Sequence, residues 1–177
     1  MSRVNNVDVG QLRRTIADTV TSPALARRTQ RIQGEWLLTE DGPLFRSKVS
    51  VAGGEVALES DMPTNLGGSG SRVGTMYYVY YGLAANYAFF FAAQAALLGI
   101  QLQRLGVTIE IPMDFTQVYG LGKSPIIQEV RFTLSVKSPA PMEQLREAER
   151  LALERCPAIY ALTTPVKVSS HLEVGDS

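Results

Sequence analysis

Thiol chemistry has one seat in this chain, and so does imidazole chemistry: the 177 residues include a single cysteine, Cys156, and a single histidine, His171. A thiolate attacks electrophilic oxygen or sulfur and passes through a sulfenic acid, which makes Cys156 the only candidate nucleophile of that class. It cannot close an intrachain disulfide, and one cysteine with one histidine cannot supply the paired ligands of a structural zinc site. No metal and no cofactor is therefore expected. His171 lies in the tail without a second ligand, so a surface role is expected for it and a Ser-His-Asp triad is not. The run Gly67-Gly68-Ser69-Gly70 has the glycine content of a phosphate loop. No Lys-Ser or Lys-Thr follows it and no βαβ unit surrounds it, so it is not read as one. Cys156 itself admits two readings, a nucleophile that relies on an external thiol or a small buried hydrophobe beside Pro157.

Composition narrows the partners. Seventeen basic and seventeen acidic residues cancel, 45% of the chain is apolar and 19% charged. This balance fits one globular domain and leaves no basic footprint for nucleic acid or anionic lipid. The opening MSRVNNVDVGQLRR lacks the apolar core of a secretory signal, and with a lone cysteine it fits a reducing, cytoplasmic setting.

The elements that must position Cys156 are legible from periodicity. Val9, Leu12, Ile16 and Val20 recur at helical spacing over residues 7–20, with Asp8 placed to cap and Ser22-Pro23 to stop. This predicts an N-terminal helical arm, 1–26, ahead of a domain at 27–177. Extended runs at 28–38, 44–51 and 55–60, separated by Asp41-Gly42-Pro43 and Gly53-Gly54, read as an antiparallel meander. Residues 61–74 read as a glycine-rich loop. A helix is predicted over 75–99, strands over 107–118 and 126–137, and a helix after Ser138-Pro139-Ala140-Pro141 that ends at Cys156-Pro157. The tail, 165–172, alternates like an edge strand. Arg13, Arg14, Arg27, Arg28 and Arg31 near the arm form a local basic cluster, read as a solvated face unless the arm is an interaction module.

The 75–99 segment carries no formal charge, with Asn86 and Gln94 its only amides. That length suffices for a bilayer, but Tyr77, Tyr78, Tyr80 and Tyr81 crowd one end and no basic cluster marks a cytoplasmic flank, so a core helix is the better reading. At about 100° per residue, Tyr77, Tyr80, Tyr81, Ala84, Tyr87, Ala88 and Phe91 share a face, and Val79, Leu83, Asn86, Phe89 and Phe90 lie more nearly opposite. A helix apolar all round must be covered all round. One sheet covers one side, so the other is assigned to a second copy of the chain, a homodimer.

The order of elements, with Leu58-Glu59-Ser60-Asp61-Met62-Pro63, Leu66-Gly67-Gly68, Gly82-Leu83-Ala84-Ala85 and Leu153-Glu154-Arg155-Cys156-Pro157 at these spacings, resembles the OsmC/Ohr family of osmotically inducible and organic hydroperoxide resistance proteins. The likeness covers about residues 28–172. It implies an α+β fold, a strongly curved antiparallel sheet around a long central apolar helix, and an intertwined homodimer with sites between subunits. Family members with peroxidase activity use a reactive cysteine on the central helix and a resolving cysteine near the last helix, with an arginine and a glutamate beside the reactive thiolate. By register, the reactive position falls at Asn86, the resolving one at Cys156, the arginine at Arg46, and the glutamate near Met76. An amide cannot form a sulfenic acid, so a two-cysteine cycle is excluded. The resemblance then implies a stress-related, non-peroxidatic protein whose interfacial pocket, lined by Arg46, Met76, Asn86 and Cys156, takes a small hydrophobic ligand. The alternative is a one-cysteine hydroperoxide reductase acting through Cys156.

Overall fold

The computed structural model describes residues 3–39 and 42–175; Asp41 of the expected Asp41-Gly42-Pro43 turn lies outside them. Helix α1, Val9–Thr21, starts where Asp8 Oδ1 accepts the Gln11 N–H at 2.8 Å, an N-cap that satisfies one of the donors a helix start leaves free. The arm is bolted to the rest of the chain by Asn5. Its amide nitrogen donates to Ala92 O (3.3 Å) and Ile100 O (2.9 Å), and its Oδ1 accepts the Leu102 N–H at 2.8 Å. Asn5 and Asn6 hold φ of 53° and 62° to do this, a left-handed geometry that asparagine tolerates better than most residues.

Strands β1 (Gly34–Trp36), β2 (Phe45–Val51) and β3 (Gly54–Ser60) form the expected antiparallel meander, with Trp36 opposite Phe45 and Phe45 opposite Ser60. β1 is shorter than the predicted 28–38 run. Helix α2, Thr75–Leu97, follows the glycine-rich loop. Strands β4 (Arg104–Glu110) and β5 (Arg131–Lys137) pair antiparallel as a separate sheet. Along β5, Phe132, Leu134 and Val136 turn inward while Arg131, Thr133, Ser135 and Lys137 face water, the period-two pattern of a half-covered sheet. The described residues thus form the expected α+β architecture, with its strands in two antiparallel sheets.

Three expectations need correction. The strand predicted at 107–118 ends at Glu110 and the one predicted at 126–137 begins at Arg131, leaving 111–130 irregular apart from the Met113–Ile127 bridge. Pro112, Gly120, Gly122 and Pro125 interrupt that stretch, and proline removes ladder donors. Cys156-Pro157 ends helix α3, Met142–Arg155, but Pro157 also opens a short helix α4, Pro157–Thr163. Proline's fixed φ and missing N–H suit the first helical position, while the preceding Cys156 is pushed to an extended ψ of 117°. The tail at 165–172 forms no strand in the chain, and Val166, Val168 and Leu172 are exposed.

The core sits at the C-terminal half of α2, where Tyr87, Phe91 and Ala95 meet Ala148, Ala152 and Cys156 from α3 and its end. Alanines at 148 and 152 let the two helices approach, and the Tyr87 and Phe132 rings meet edge to face at 5.2 Å. The first turns of α2 are different: Tyr77 is 68% and Tyr81 73% exposed. Among the described residues no helix is long and apolar enough to cross a membrane.

Candidate functional site

Cys156 lies at the joint between α3 and α4 and is only 1% exposed. Its thiol donates to Asn86 Oδ1 at 3.2 Å across 70 positions of sequence, so the two residues singled out for thiol chemistry do meet. The joint engages the side-chain oxygens of both amides of the apolar helix. Asn86 Oδ1 accepts from the thiol, and about two turns further on Gln94 Oε1 accepts from Arg155 Nη1 at 3.1 Å. Beside them Tyr87 is 2% exposed, and burial, with smaller contributions from the charges of Glu149 and Cys156, pushes its hydroxyl up to about 12. A phenol so placed stays neutral at physiological pH.

Arg46 stands elsewhere. It lies on β2 directly opposite Glu59 of β3, and its Nε and Nη2 both donate to Glu59 Oε1 at 2.9 Å. Arg72 Nε reaches the other oxygen of Glu59 at 3.4 Å. The guanidinium is half exposed and faces a shallow surface with Gln33, Glu35 and Lys48. Met76, 37% exposed on the first turn of α2, faces a small cavity beside the glycine-rich loop. Within one chain, then, Asn86 and Cys156 are brought together, whereas Arg46 and Met76 each occupy different ground.

Between the β1–β3 sheet and the first turns of α2 runs an open apolar groove of about 860 Å³, lined by Ile32, Phe45, Leu58, Val73, Tyr78 and Tyr81. Tyr78 ties its two walls together by donating to Glu59 O at 2.8 Å. The groove has almost nothing polar to offer a substrate, so it can bury hydrocarbon or aromatic surface but not orient a charge.

Sequence reasoning left Asp61 inside an undifferentiated loop, and the structure gives it a role. Its carboxylate is 1% exposed. Oδ1 accepts the Met62 N–H at 2.7 Å; Oδ2 accepts the Ser69 hydroxyl at 2.6 Å and the Ser71 N–H and hydroxyl at 2.9 and 3.1 Å. These donors, the Ser69 hydroxyl foremost and the Ser71 amide next, hold the carboxyl far below its ordinary 3.8 despite its burial. Gly68 completes the fold-back, because a Cβ there would run into the Met62 carbonyl. The available signal was an aspartate followed at eight and ten positions by serines in a glycine-rich stretch. Among the described residues no cluster of three His, Cys, Asp or Glu side chains is formed.

Comparison with known proteins places this geometry. A family model described as OsmC-like protein matches residues 68–171. No curated protein matches the sequence. Among solved structures, an OsmC-like protein from Mycoplasma pneumoniae is 16% identical, with a TM-score of 0.57 over 77% of this chain and 89% of that one. An organic hydroperoxide resistance protein OsmC from Legionella pneumophila is 16% identical, with a TM-score of 0.53 over 78% and 93%. A Vibrio cholerae structure with captopril bound in one of its active sites is 18% identical, with a TM-score of 0.51 over 78% and 88%. At these identities the likeness to solved structures is one of fold.

Proposed function

The chain belongs to the OsmC-like family, and from that premise we propose that it is a non-peroxidatic, stress-related homodimer of the cytoplasm that takes a small hydrophobic ligand in a pocket between its two copies. The observation that carries this reading is the Asn86–Cys156 contact at 3.2 Å. Reduction of a hydroperoxide by a thiol transfers one oxygen to sulfur, giving Cys–SOH and the alcohol, and a second thiol must then condense with the sulfenic acid and release water. An amide occupies the place opposite the only thiol, and that thiol is buried and already engaged. The scaffold's other polar parts point the same way: Arg46 is held by Glu59, and Met76 offers no carboxylate.

The dimer is supported by the uncovered apolar groove and, beside it, the exposed rings of Tyr77 and Tyr81, which a second copy would cover. In such a pair, the half-exposed Arg46, still bonded to Glu59, and Met76 of one protomer line a pocket with Asn86 of its partner, behind which the partner's Cys156 lies buried. The captopril-bound Vibrio cholerae structure gives a precedent for a small organic molecule in a site of this fold.

The test is consumption of cumene hydroperoxide by the purified chain with a dithiol reductant, alongside Cys156→Ser. No turnover above background in either protein is expected. Turnover that the substitution abolishes would replace the binding role with a one-cysteine reductase acting through Cys156.

A further inference from the structure

Five methionines occur in the sequence, Met1, Met62, Met76, Met113 and Met142, and three of them line one cavity of about 220 Å³: Met62, Met76 and Met113. They come from three separately anchored segments. Met62 follows β3 and is fixed by its N–H to Asp61. Met76 rides on the first turn of α2, and Met113 sits at the bridge to Ile127 in the segment after β4. Two of the sulfurs are held onto α2 by hydroxyls: Thr75 Oγ1 donates to Met62 Sδ at 3.5 Å and Tyr80 Oη to Met113 Sδ at 2.8 Å. Met76 and Tyr80 are one turn apart, so the third thioether lies on the helical face that holds Met113 and next in sequence to Thr75, which holds Met62.

Methionine is a gap filler in cores, yet here the gap persists and Met76 opens it to solvent. The remaining walls include Pro63, Leu66 and Phe115, and no carboxylate, imidazole or ammonium group lines the cavity. A hard cation wants oxygen donors and finds none that are anionic. A divalent ion would also enter uncompensated, against the positive end of α2. Neutral thioethers select soft ions, Cu(I) above all. A single charge is opposed by the helix end by about fivefold in affinity, against which the cavity sets the rings of Tyr80 and Phe115 among its walls. We propose that Met62, Met76 and Met113 form a three-thioether site for a soft monovalent metal ion, Cu(I) or its redox-inert counterpart Ag(I). The site is distinct from the Cys156–Asn86 pair and does not depend on it.

The experiment is titration of the full-length protein with Ag(I) in chloride-free, thiol-free buffer, read by native mass spectrometry and by the methionine ε-methyl NMR signals of the unmutated chain. One ion per chain is expected, moving the Met62, Met76 and Met113 methyl signals and leaving Met142 in place. Cys156→Ser should keep that stoichiometry, and Met62→Leu with Met113→Leu, near-isosteric changes, should weaken binding at least tenfold. Absence of binding, loss of the ion in Cys156→Ser, or a shift of the Met142 signal alone would overturn the proposal. The methyl readout needs no variant, so a failure of the double substitution to fold does not shelter it.

Discussion

The two halves of α2 are built from the same kinds of residue and meet opposite fates. From Tyr87 onward one face of the helix packs against α3, α4 and β4, with Phe91 1% exposed although Phe89 on the other face is 53% exposed; before it, Tyr77 and Tyr81 stand in solvent above an open groove. Hydrophobicity alone cannot distinguish these stretches, because both are apolar around the full circumference. Aromatic bulk does not distinguish them either, since Tyr87, Phe89, Phe90 and Phe91 match the tyrosines in size; the alanines after Phe91 and the hydroxyls of the first turns do. The buried half is rich in alanine and meets alanines 148 and 152, so backbones approach and large rings fill discrete gaps. The open half carries four tyrosines within five positions, whose bulk and hydroxyls suit a surface that must be wet before it is covered. One half contributes to a core made by the chain, and the other lies open to solvent.

The sharpest way to break this contrast is to truncate one ring in each half. Phe91→Ala removes a ring from the closed half and should cost about 3–5 kcal/mol of folding stability, read from urea unfolding at fixed protein concentration, since association itself contributes to apparent stability. A loss below about 1 kcal/mol would mean that the closed half is less tightly packed than its burial indicates.

Tyr81→Asp tests the open half. Its ring makes little of the chain's own core, so intrinsic stability should move by no more than about 0.5 kcal/mol, whereas a carboxylate placed in an apolar contact between copies should weaken association at least tenfold, about 1.4 kcal/mol. Sedimentation equilibrium of the two proteins over a range of concentrations separates these effects. A wild-type chain that is monomeric at micromolar concentration removes the second copy from the account altogether.

How far the sequence foretold this contrast depends on whether the cause was local. The long helix, the meander and α3 were legible, because each has its own periodicity and its own stop signals. Pro157 was read as a stop when it is also a start: the same ring that cannot continue α3 is pre-set to begin α4, and no local pattern tells the two uses apart. The tail at 165–172 alternates as a strand does yet has no strand partner among the described residues, because pairing requires an edge and an edge is a tertiary fact. For the site, Cys156 and Asn86 do meet; an ion pair is ordinary for an outward strand arginine such as Arg46, but that its partner is Glu59 was not legible. It follows from cross-strand register, which a single residue of slip would abolish. The methionine cavity was invisible for a similar reason, since its members are 14 and 37 positions apart and share no motif.

The smallest expected effect concerns the loop that joins the sheet to the open half. Asp61 holds residues 62–71 in place with an ionised carboxylate that accepts four hydrogen bonds. Its carboxyl titrates below its ordinary 3.8 in the folded chain, so the unfolded chain binds the proton first as pH falls. The stabilisation is therefore fully present above about pH 4, near the unfolded-state value, and is lost as pH drops toward the folded-state one. Asp61→Asn keeps the shape but replaces one anionic acceptor by an amide donor that faces the Ser69 and Ser71 donors. It should lower the unfolding midpoint at pH 7 and lower it less at pH 3, because acid has by then weakened the wild type as well. Denaturant midpoints for both proteins at the two pH values check this. A deficit that is the same at pH 7 and pH 3 would assign the loop's order to Gly68 and the backbone turn, not to the charge beneath it.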